Sequence, residues 1–509
     1  MARETELKLS LRASDLPRLL AHPLLQVRPA ARRLLNTYYD TPALDLMRER
    51  IALRERRIGR RTWLTVKTAG SSAGGLSQRQ EWEAPTRAGT LDVGRLVTDS
   101  ELASQLQRLR PRLVPLFHTD FGRRTWVLEH RQSRIEVALD QGEIRTGGSG
   151  QTRRLPLLEL ELELLDGHPA DLIDLAHTLS LGSPQQTGTG IWMYPDDRSK
   201  AERGLHLFTG ERLQPASPQA QVLDAQAHPR QAWRDTAWSC LAQLQANTGA
   251  LLQHDFAQGL PDPEFIHQAR VALRRLRTGL RLFAPWLPGR FARHWSGTWQ
   301  TLARQLGEAR NWDVLATEGL PGLLGETPPT DALRWTAWVE QRRTEANRQV
   351  VQALTDPRHT QQLLAFMHAV LSLPAPGPRA HARTDAWASR SLMAPHRRLV
   401  QQARHALQAG PEARHALRIA VKRLRYAVGF LGALAPAALA RRGLPRLTRA
   451  QEWLGQLNDL DQARLLLTDH PVADPAPLLR VLEARMASGL ERLPRLERQL
   501  LRIPGPRRG

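Results

Sequence analysis

The sequence predicts an α+β protein, in which a strand-rich N-terminal part is followed by an all-α half. Residues 1–200 contain short segments in which charged and apolar residues alternate with period two, such as Glu4–Leu9, and this alternation is typical of β-strands. Near residues 210–230 the composition shifts to Gln, Ala, Pro and Ser, which predicts a linker. After the linker, Leu, Ala and Arg recur at helical spacing to the end of the sequence.

The strand predictions follow this alternation along the first 200 residues, with Gly, Pro and Asp between the segments. Two stretches with helical spacing interrupt the strands, around Ser14–Leu20 and Pro169–Leu179. The predicted strands are Glu4–Leu9, Ala52–Arg57, Thr62–Lys67, Leu76–Glu83, Ile135–Leu139 and Leu158–Leu164.

The helical half contains an internal repeat with an offset of 148 residues. The segment His267–Arg277 matches His415–Arg425, and Leu306-Gly307 with Asn311 and Asp313 matches Leu454-Gly455 with Asp459 and Asp461. Two blocks that share one offset indicate duplicated helical bundles. We therefore predict a first domain at residues 1–205, a linker at 206–224 and a helical domain at 225–505. The Pro-rich break at 374–378 separates its two copies, at about 225–370 and 380–505.

The chain is strongly basic, with a net charge of +22 from 72 Lys and Arg against 50 Asp and Glu. Residues 1–200 hold 30 basic and 25 acidic residues, so most of the excess lies in the helical half. Such a surface attracts polyanions, including nucleic acid, polyphosphate and acidic membranes, although a solvated Arg-rich face is the alternative. The single Cys240 and the lack of an apolar run of about 18 residues favour a cytoplasmic protein with no membrane span.

Each predicted strand has one charged face and one apolar face, because residues two apart point the same way. Glu4, Glu6 and Lys8 share a face, as do Glu159, Glu161 and Glu163. An antiparallel sheet with its polar face in water would explain this pattern. Closing the sheet into a barrel with the charged faces inward would instead give a tunnel for divalent metal ions and phosphate oxygens. The residues alone leave both arrangements open.

The first 205 residues resemble the CYTH, or triphosphate tunnel metalloenzyme, family. The resemblance rests on Glu4-Thr-Glu-Leu-Lys8, which matches the ExExK signature, and on an ordered series of further motifs. These are Tyr38-Tyr39-Asp40-Thr41-Pro42, Ile51 to Arg56, Lys67, Arg79-x-Glu81-x-Glu83, Glu159 to Glu163 and Ser199 to Gly204. The resemblance implies an eight-stranded antiparallel β tunnel and metal-dependent hydrolysis of triphosphate.

The resemblance also implies roles for individual side chains in the tunnel. Mg²⁺ or Mn²⁺ would be held by Glu4, Glu6, Asp140, Glu159 and Glu161. The phosphate ligands would be Lys8, Arg54, Arg56, Lys67, Arg79, Lys200 and an arginine of the strand that begins at Arg123-Arg124, for which we choose Arg124, with the register leaving Arg123 open. The catalytic set would be Glu81, Glu83 and Lys8, with the two glutamates positioning a metal or the attacking water.

The helical half carries two basic stripes at helical spacing, with apolar stripes opposite them. A stripe of like charges repels itself unless an anion neutralises it, although a solvated basic face remains the alternative. The pattern H-x-x-R-V/I-x-x-R/K-R/K-L-R occurs twice, and residues 225–500 thereby resemble the CHAD domain, which implies polyphosphate binding in a groove between two bundles. The predicted ligands are His267, Arg270, Arg274, Arg277 and Arg281 in the first copy and His415, Arg418, Lys422 and Arg425 in the second.

These observations predict an inorganic triphosphatase that carries a polyphosphate-binding domain. The alternatives are a non-catalytic protein associated with polyphosphate granules, and thiamine triphosphatase or adenylate cyclase activity of the first domain. Nucleic acid is disfavoured, because the basic stripes carry few aromatic residues on which bases could stack. The oligomeric state does not follow from the sequence.

Overall fold

The computed structural model describes residues 3–68, 70–73, 75–146, 152–183, 190–219, 222–326, 329–374, 383–405, 410–469 and 472–506. Most of the Pro-rich break at 374–378 lies outside these ranges. The internal contacts divide the chain into a first unit, Met1–Gln214 with Thr355–Ser372, and a second unit, Pro215–Leu354 with Leu373–Gly509. The boundary after Gln214 falls within the predicted linker at 206–224.

The residues that the structure describes in the first unit form ten strands of one antiparallel sheet, and this sheet closes on itself. β1 pairs with β9 along one edge and with β6 along the other, so the ring runs β1-β9-β8-β7-β2-β3-β4-β6 and back to β1. β5 and β10 are short additions on β6 and β1, which leaves eight strands in the ring as predicted. The strands are β1 Arg3–Leu11, β2 Ala30–Asp40, β3 Ala52–Ile58, β4 Arg61–Lys67, β5 Ser71–Ala73, β6 Leu76–Thr86, β7 Val114–His130, β8 Ser133–Thr146, β9 Arg154–Asp166 and β10 Met193–Pro195.

The α-helices formed by the described residues follow the predicted division, with short helices around the barrel and long ones in the second unit. In chain order they are α1 Leu16–Leu20, α2 Asp45–Arg48, α3 Ser100–Leu109, α4 Pro169–Leu181, α5 Lys200–Thr209, α6 Pro229–Gln253, α7 Pro263–Leu282, α8 Phe291–Thr298, α9 Gln300–Val314, α10 Pro329–Leu354, α11 Pro357–Leu371, α12 Thr384–Ser391, α13 Met393–His405, α14 Gly410–Leu431, α15 Leu444–Asp469, α16 Ala476–Leu490 and α17 Leu493–Leu501. None of them combines the length and the apolar character that crossing a membrane requires.

The strand alternation places the charged residues inside the barrel and the apolar ones outside it. Leu7 of β1 and Leu160 and Leu162 of β9 are fully buried, and α4 packs over these two strands. A second outer cluster joins β3, β4 and β6 to α3 through Leu53, Val66 and their neighbours. Because the outer faces are covered by helices, the charged inner faces enclose a tunnel, and the solvated-sheet alternative does not apply.

The second unit is a duplicated helical bundle. α7 packs against α14, and α9 packs against α15. The offset of 148 residues relates α7 to α14, so the two copies of the repeat meet through equivalent helices. The predicted apolar stripe of α7 forms core, since Leu273, Leu276, Leu280 and Phe283 are buried.

One helix departs from the predicted organisation. α11 was expected within the first repeat, at about 225–370, but Thr355–Ser372 belongs to the first unit. The physical reason is its apolar face: Leu363, Leu364, Met367 and Val370 are almost completely buried, and the helix packs against α4.

Candidate active site

The barrel encloses a charged cavity of about 350 Å³. Side chains from all parts of the ring contribute to it, and α5 closes one side with Ser199, Lys200 and Ala201. Ten of the residues predicted for this site line the cavity: Glu4, Glu6, Lys8, Arg54, Arg56, Lys67, Glu81, Glu83, Glu161 and Lys200.

Three carboxylates form a row across β1, β9 and β8. Glu163 lies directly opposite Glu6 on one neighbouring strand and directly opposite Glu136 on the other. All three line the cavity, and neither Glu136 nor Glu163 forms an ion pair with any residue that the structure describes. Like charges at opposed positions destabilise a sheet. Lys8 Nζ lies 2.8 Å from Glu6 Oε1 and neutralises that end of the row, so Glu163 and Glu136 are the carboxylates whose repulsion a bound cation would offset.

Two carboxyl groups in this region hold their protons unusually tightly. The pKa of Glu163 is raised to about 7, first by burial and then by Glu136 and Glu6. Burial is also the first cause that raises the pKa of Glu4 to about 7. Lys67 opposes this rise, and Glu81 and Glu6 add to it. Burial is the first cause of both shifts, and the neighbouring carboxylates add to it.

A second acidic group lies deeper, where Asp140, Glu159 and Glu161 bring ligand oxygens within 4.8 Å of one another. Lys200 Nζ lies 2.7 Å from Asp140 Oδ2 and 2.8 Å from Glu161 Oε1, and it also contacts Glu159. Burial would raise the pKa of Glu161, but Lys200 and Arg123 outweigh it and hold this pKa well below its usual range. The deep group is therefore neutralised by cations of the chain itself.

Strands β3 and β4 carry further cations of the cavity, and β6 carries their carboxylate partners. Arg54 Nη2 lies 3.7 Å from carboxylate oxygens of both Glu81 and Glu83, and Lys67 Nζ lies 2.6 Å from Glu81 Oε2. The Nε atom of Arg54 is buried and lacks a hydrogen-bond partner among the described residues. An orphaned buried donor of this kind is costly to leave unpaired, and an anionic oxygen in the cavity would satisfy it.

The register decides between the two adjacent arginines of β7. Arg123 lies opposite Asp140, donates to both of its carboxylate oxygens at 2.7 Å and lines the cavity. The expected choice, Arg124, falls on the other face of the strand and donates to Gln141 at 3.4 Å. Arg124 is thus not brought into the site. Arg79 lies on β6 opposite Glu4, but its side chain is outside the described part of the structure.

Sequence reasoning also missed several cavity residues. Glu136 and Glu163 continue the alternation of predicted site residues on their strands, so the same two-residue spacing would have placed them in the cavity. Tyr38 lies inside the motif that carries the family resemblance, and its ring stacks on Phe117 with centroids 4.6 Å apart. Burial would raise the pKa of Tyr38, but Arg54, its hydrogen-bond partner, outweighs burial and lowers it.

The cavity has the donor set that a hard divalent cation requires. Carboxylate oxygens suit Mg²⁺ and Mn²⁺, and the residues present offer two groups of them. The deep group, Asp140, Glu159 and Glu161, could hold a metal ion, although Lys200 and Arg123 already neutralise it. Of the other two predicted ligands, Glu6 lies opposite Glu163, and the carboxylate of Glu4 lies 3.0 Å from Lys67 Nζ.

The second unit gathers basic side chains from α7 and α14. Arg274 and Arg425 both lie over the ring of Tyr426, with guanidinium carbons 5.2 and 5.4 Å from its centroid. Arg418 donates to Asn458 at 2.8 Å. Buried nitrogens without a partner among the described residues are Arg274 Nε, Arg277 Nε, Arg418 Nε and His267 Nδ1. Several orphaned donors in one basic cluster indicate a place for an anion.

The charge in this cluster is concentrated enough to shift pKa values. Burial, followed by Arg274, Arg418 and Arg270, lowers the pKa of Lys422 to about 6, and burial and the same neighbours lower that of Arg270 to about 10. Asp459 is the acidic residue that faces these cations. Two predicted residues lie at the margin, since the side chains of His415 and Arg281 are exposed.

Comparison with known proteins assigns both units to described domain classes. The CYTH domain model matches residues 2–187, and the CHAD domain model matches residues 236–468. The chain therefore carries a CYTH domain followed by a CHAD domain.

Two known proteins are similar to parts of this chain. An inorganic triphosphatase of Haemophilus influenzae is 34% identical over 224 residues, which cover 42% of this chain and 57% of that protein. The crystal structure of the CHAD domain from the plant Ricinus communis matches with a TM-score of 0.51 and 29% identity, over 58% of this chain and 99% of that one. The chain thus spans little more than half the length of this curated relative.

Proposed function

We propose that the first unit hydrolyses inorganic triphosphate in the barrel cavity with the help of Mg²⁺ or Mn²⁺, and that the second unit binds polyphosphate. The observation that carries the proposal is the enclosed cavity, whose lining combines many cations with many carboxylates. Phosphoryl transfer needs both, because the charge of the phosphate chain must be offset by cations and by metal ions. The triphosphatase of Haemophilus influenzae supports the same reaction class.

The phosphate oxygens would be held by the cations of the cavity. Arg54, Arg56 and Lys67 lie on adjacent strands β3 and β4, and Arg123, Lys8 and Lys200 approach from the other strands and from α5. The orphaned Nε of Arg54 supports this assignment most directly. Arg79 keeps its proposed role as a phosphate ligand through its position opposite Glu4.

The metal ion would be held by Glu4, Glu6 and Glu163, with Asp140, Glu159 and Glu161 as the alternative set. When bound, it would offset charge on the phosphate oxygens as a Lewis acid. A carboxylate that accepts the proton of the attacking water works best with a pKa near the working pH. Lys67 and Arg54 outweigh burial and lower the pKa of Glu81 to about 2, so Glu81 would hold these cations. Glu83, which lies 3.7 Å from Arg54 Nη2, would position the attacking water.

Inorganic triphosphate fits the lining better than a nucleotide does. Tyr38 is the aromatic residue among the described lining residues, and its face is already stacked on Phe117. Tyr38 is also only 5% exposed, so the described lining offers almost no aromatic surface on which a base or a thiazolium could stack. Thiamine triphosphatase and adenylate cyclase activity remain the alternatives, and faster turnover of either organic triphosphate would favour them.

Polyphosphate binding by the second unit rests on the orphaned donors of Arg274, Arg277 and Arg418. A flexible phosphate chain can satisfy several of them at once, whereas duplex nucleic acid presents its phosphates at fixed spacing. Granule association without catalysis is the alternative for the whole protein.

The test is phosphate release by the purified full-length protein from triphosphate, ATP, thiamine triphosphate and long-chain polyphosphate, each with Mg²⁺, Mn²⁺ or EDTA. We expect triphosphate to react fastest and EDTA to abolish the reaction. Glu6→Gln should lose most of the activity, while Glu129→Gln, which changes an exposed glutamate of β7, should not. Full activity in EDTA would contradict the metal assignment.

A further inference from the structure

α11 lies between the two repeats in sequence but belongs to the barrel unit. Its chain neighbours on both sides, residues up to Leu354 and from Leu373, belong to the second unit. A helix of the helical half is thus built into the fold of the first unit, and its contacts there can be followed residue by residue.

The contacts of α11 are both apolar and polar. Its buried face packs against α4, which covers β1 and β9. At its N-terminal end Arg12 donates to the carbonyl of Thr355 at 2.9 Å, and Gln361 donates to the carbonyl of Ser180 at 3.3 Å. These bonds fix the position of α11 on the unit and so also fix the position of the side chain between them, Thr360.

Thr360 is 1% exposed, and its hydroxyl bonds both backbone polar groups of Met193, the first residue of β10. Its hydroxyl donates to the carbonyl of Met193 at 2.7 Å and accepts from the N–H of Met193 at 3.3 Å. β10 has three residues and pairs with β1 on its other edge. The hydroxyl therefore replaces the neighbouring strand that this edge lacks, and it satisfies two buried backbone groups.

β10 leads directly into the site. Asp196, the next residue, donates its N–H to the carbonyl of Lys8 at 3.1 Å, and Ser199 caps α5, whose first residue is Lys200. Lys200 in turn reaches Asp140 and Glu161 in the barrel. One short strand and four connecting residues thus join Met193, which Thr360 contacts, to Lys200. Hydrogen bonds hold this segment in place at both ends.

We propose that Thr360 of α11 is a positioning residue for Lys200, acting through β10, so that the barrel site is complete only when this helix of the helical half is docked. The inference rests on the proposed function, in which Lys200 binds a phosphate oxygen. Thr360 touches no reacting atom, and its effect is on where β10 and the start of α5 lie. A domain cut at residue 205 or 214 would lack this contact.

The test compares Thr360→Val with Thr360→Ser in the full-length protein. Valine keeps the shape of threonine and removes the hydroxyl, leaving both backbone groups of Met193 unpaired, whereas serine keeps the hydroxyl. We expect Thr360→Val to raise KM for triphosphate on the order of tenfold, the factor that a lost buried hydrogen bond corresponds to, with kcat changed by less than about twofold. Thr360→Ser and the matched control Thr178→Val on α4 should behave like the wild type.

Two further measurements separate positioning from general support of the fold. In a Lys200→Ala background Thr360→Val should raise KM no further, because residues that act through one another are not additive. A full additional increase there would overturn the proposal. Amide hydrogen exchange of residues 193–200 should be faster in Thr360→Val and not in Thr360→Ser, and this readout needs no activity. Unchanged exchange would refute the inference even if the wild type failed to hydrolyse triphosphate, which would contradict only the proposed function.

Discussion

Glu163 offers the sharpest test of how the acidic row is used. Replacing it with glutamine removes one negative charge from the row of Glu6, Glu163 and Glu136 and keeps the shape of the side chain. On the proposed function this charge is present to hold a metal ion, and without metal it is a source of repulsion. The substitution should therefore stabilise the metal-free protein and weaken the metal-bound one.

The size of the effect follows from the pKa of Glu163. Its rise from 4.5 to about 7 means that the folded protein binds this proton more tightly than the unfolded chain. Stability therefore falls as the pH rises from 4.5 to 7, and above pH 7 the penalty is complete. At about 1.4 kcal/mol per pH unit the upper limit is about 3.5 kcal/mol, and the partial solvent exposure of Glu163 reduces this to about 1–2 kcal/mol.

The assay is calorimetry of the full-length protein in EDTA, following the transition that shifts when Mg²⁺ and triphosphate are added, since ligands stabilise the unit that binds them. Glu163→Gln should raise the Tm of this transition by several degrees at pH 8 and leave it unchanged at pH 4. The same variant should bind Mg²⁺ more weakly in a calorimetric titration. The exposed Glu129→Gln serves as the control. An unchanged Tm at pH 8 together with an unchanged metal affinity would refute the argument.

Three further predictions concern the cations of the two units. Arg123→Ala should reduce triphosphate hydrolysis at least tenfold, because it removes a charged hydrogen-bonding group from the cavity. Arg124→Ala should change the rate less than twofold. Equal rates for the two variants would contradict the register argument. Polyphosphate binding should weaken steeply with salt, and the slope should flatten in two triple alanine variants without a change in triphosphate hydrolysis; an unchanged affinity in both would exclude the groove. Bound phosphate favours the charged form of Lys422, whose pKa is about 6 in the free protein. Polyphosphate affinity should therefore fall between pH 6 and pH 8, and Lys422→Arg should reduce this pH dependence in a calorimetric titration. A steeper pH dependence in that variant would exclude the mechanism. The triple variants replace Arg270, Arg274 and Arg277 in one and Arg418, Lys422 and Arg425 in the other.

The barrel could be predicted because its alternation is strict. Charged residues with period two on every predicted strand left two arrangements, and the family resemblance selected the closed one. The strands were predicted only in part: β2 and β7 are not among those that the alternation predicts, the sequence shows only part of β6 and β8, and α3 was not predicted. The choice between Arg123 and Arg124 failed because adjacent strand residues point to opposite faces, so one step of register changed the side chain that enters the cavity.

The position of α11 could not be predicted, because its sequence is that of an ordinary amphipathic helix. Leu363, Leu364 and Met367 show which face is buried but not which surface covers it. The same limit applies to Thr360, since a threonine in a helix most often bonds within its own helix, and nothing local marks its bond to Met193. Helical periodicity places a residue on a face, and only the tertiary structure supplies the partner.

The ion pairs inside the cavity make the proposed binding of metal and triphosphate interdependent. Lys67 is paired with Glu81, Arg123 with Asp140 and Lys200 with Glu161, so a phosphate chain must draw these cations away from carboxylates. A buried carboxylate that loses its partner is strongly destabilised, unless a divalent cation replaces that partner. We therefore expect triphosphate to bind tightly only with metal present, with a coupling of about 1–3 kcal/mol. Calorimetric titration of triphosphate with and without Mg²⁺ measures this coupling, and equal affinities would show that the cavity cations bind phosphate without releasing their carboxylates.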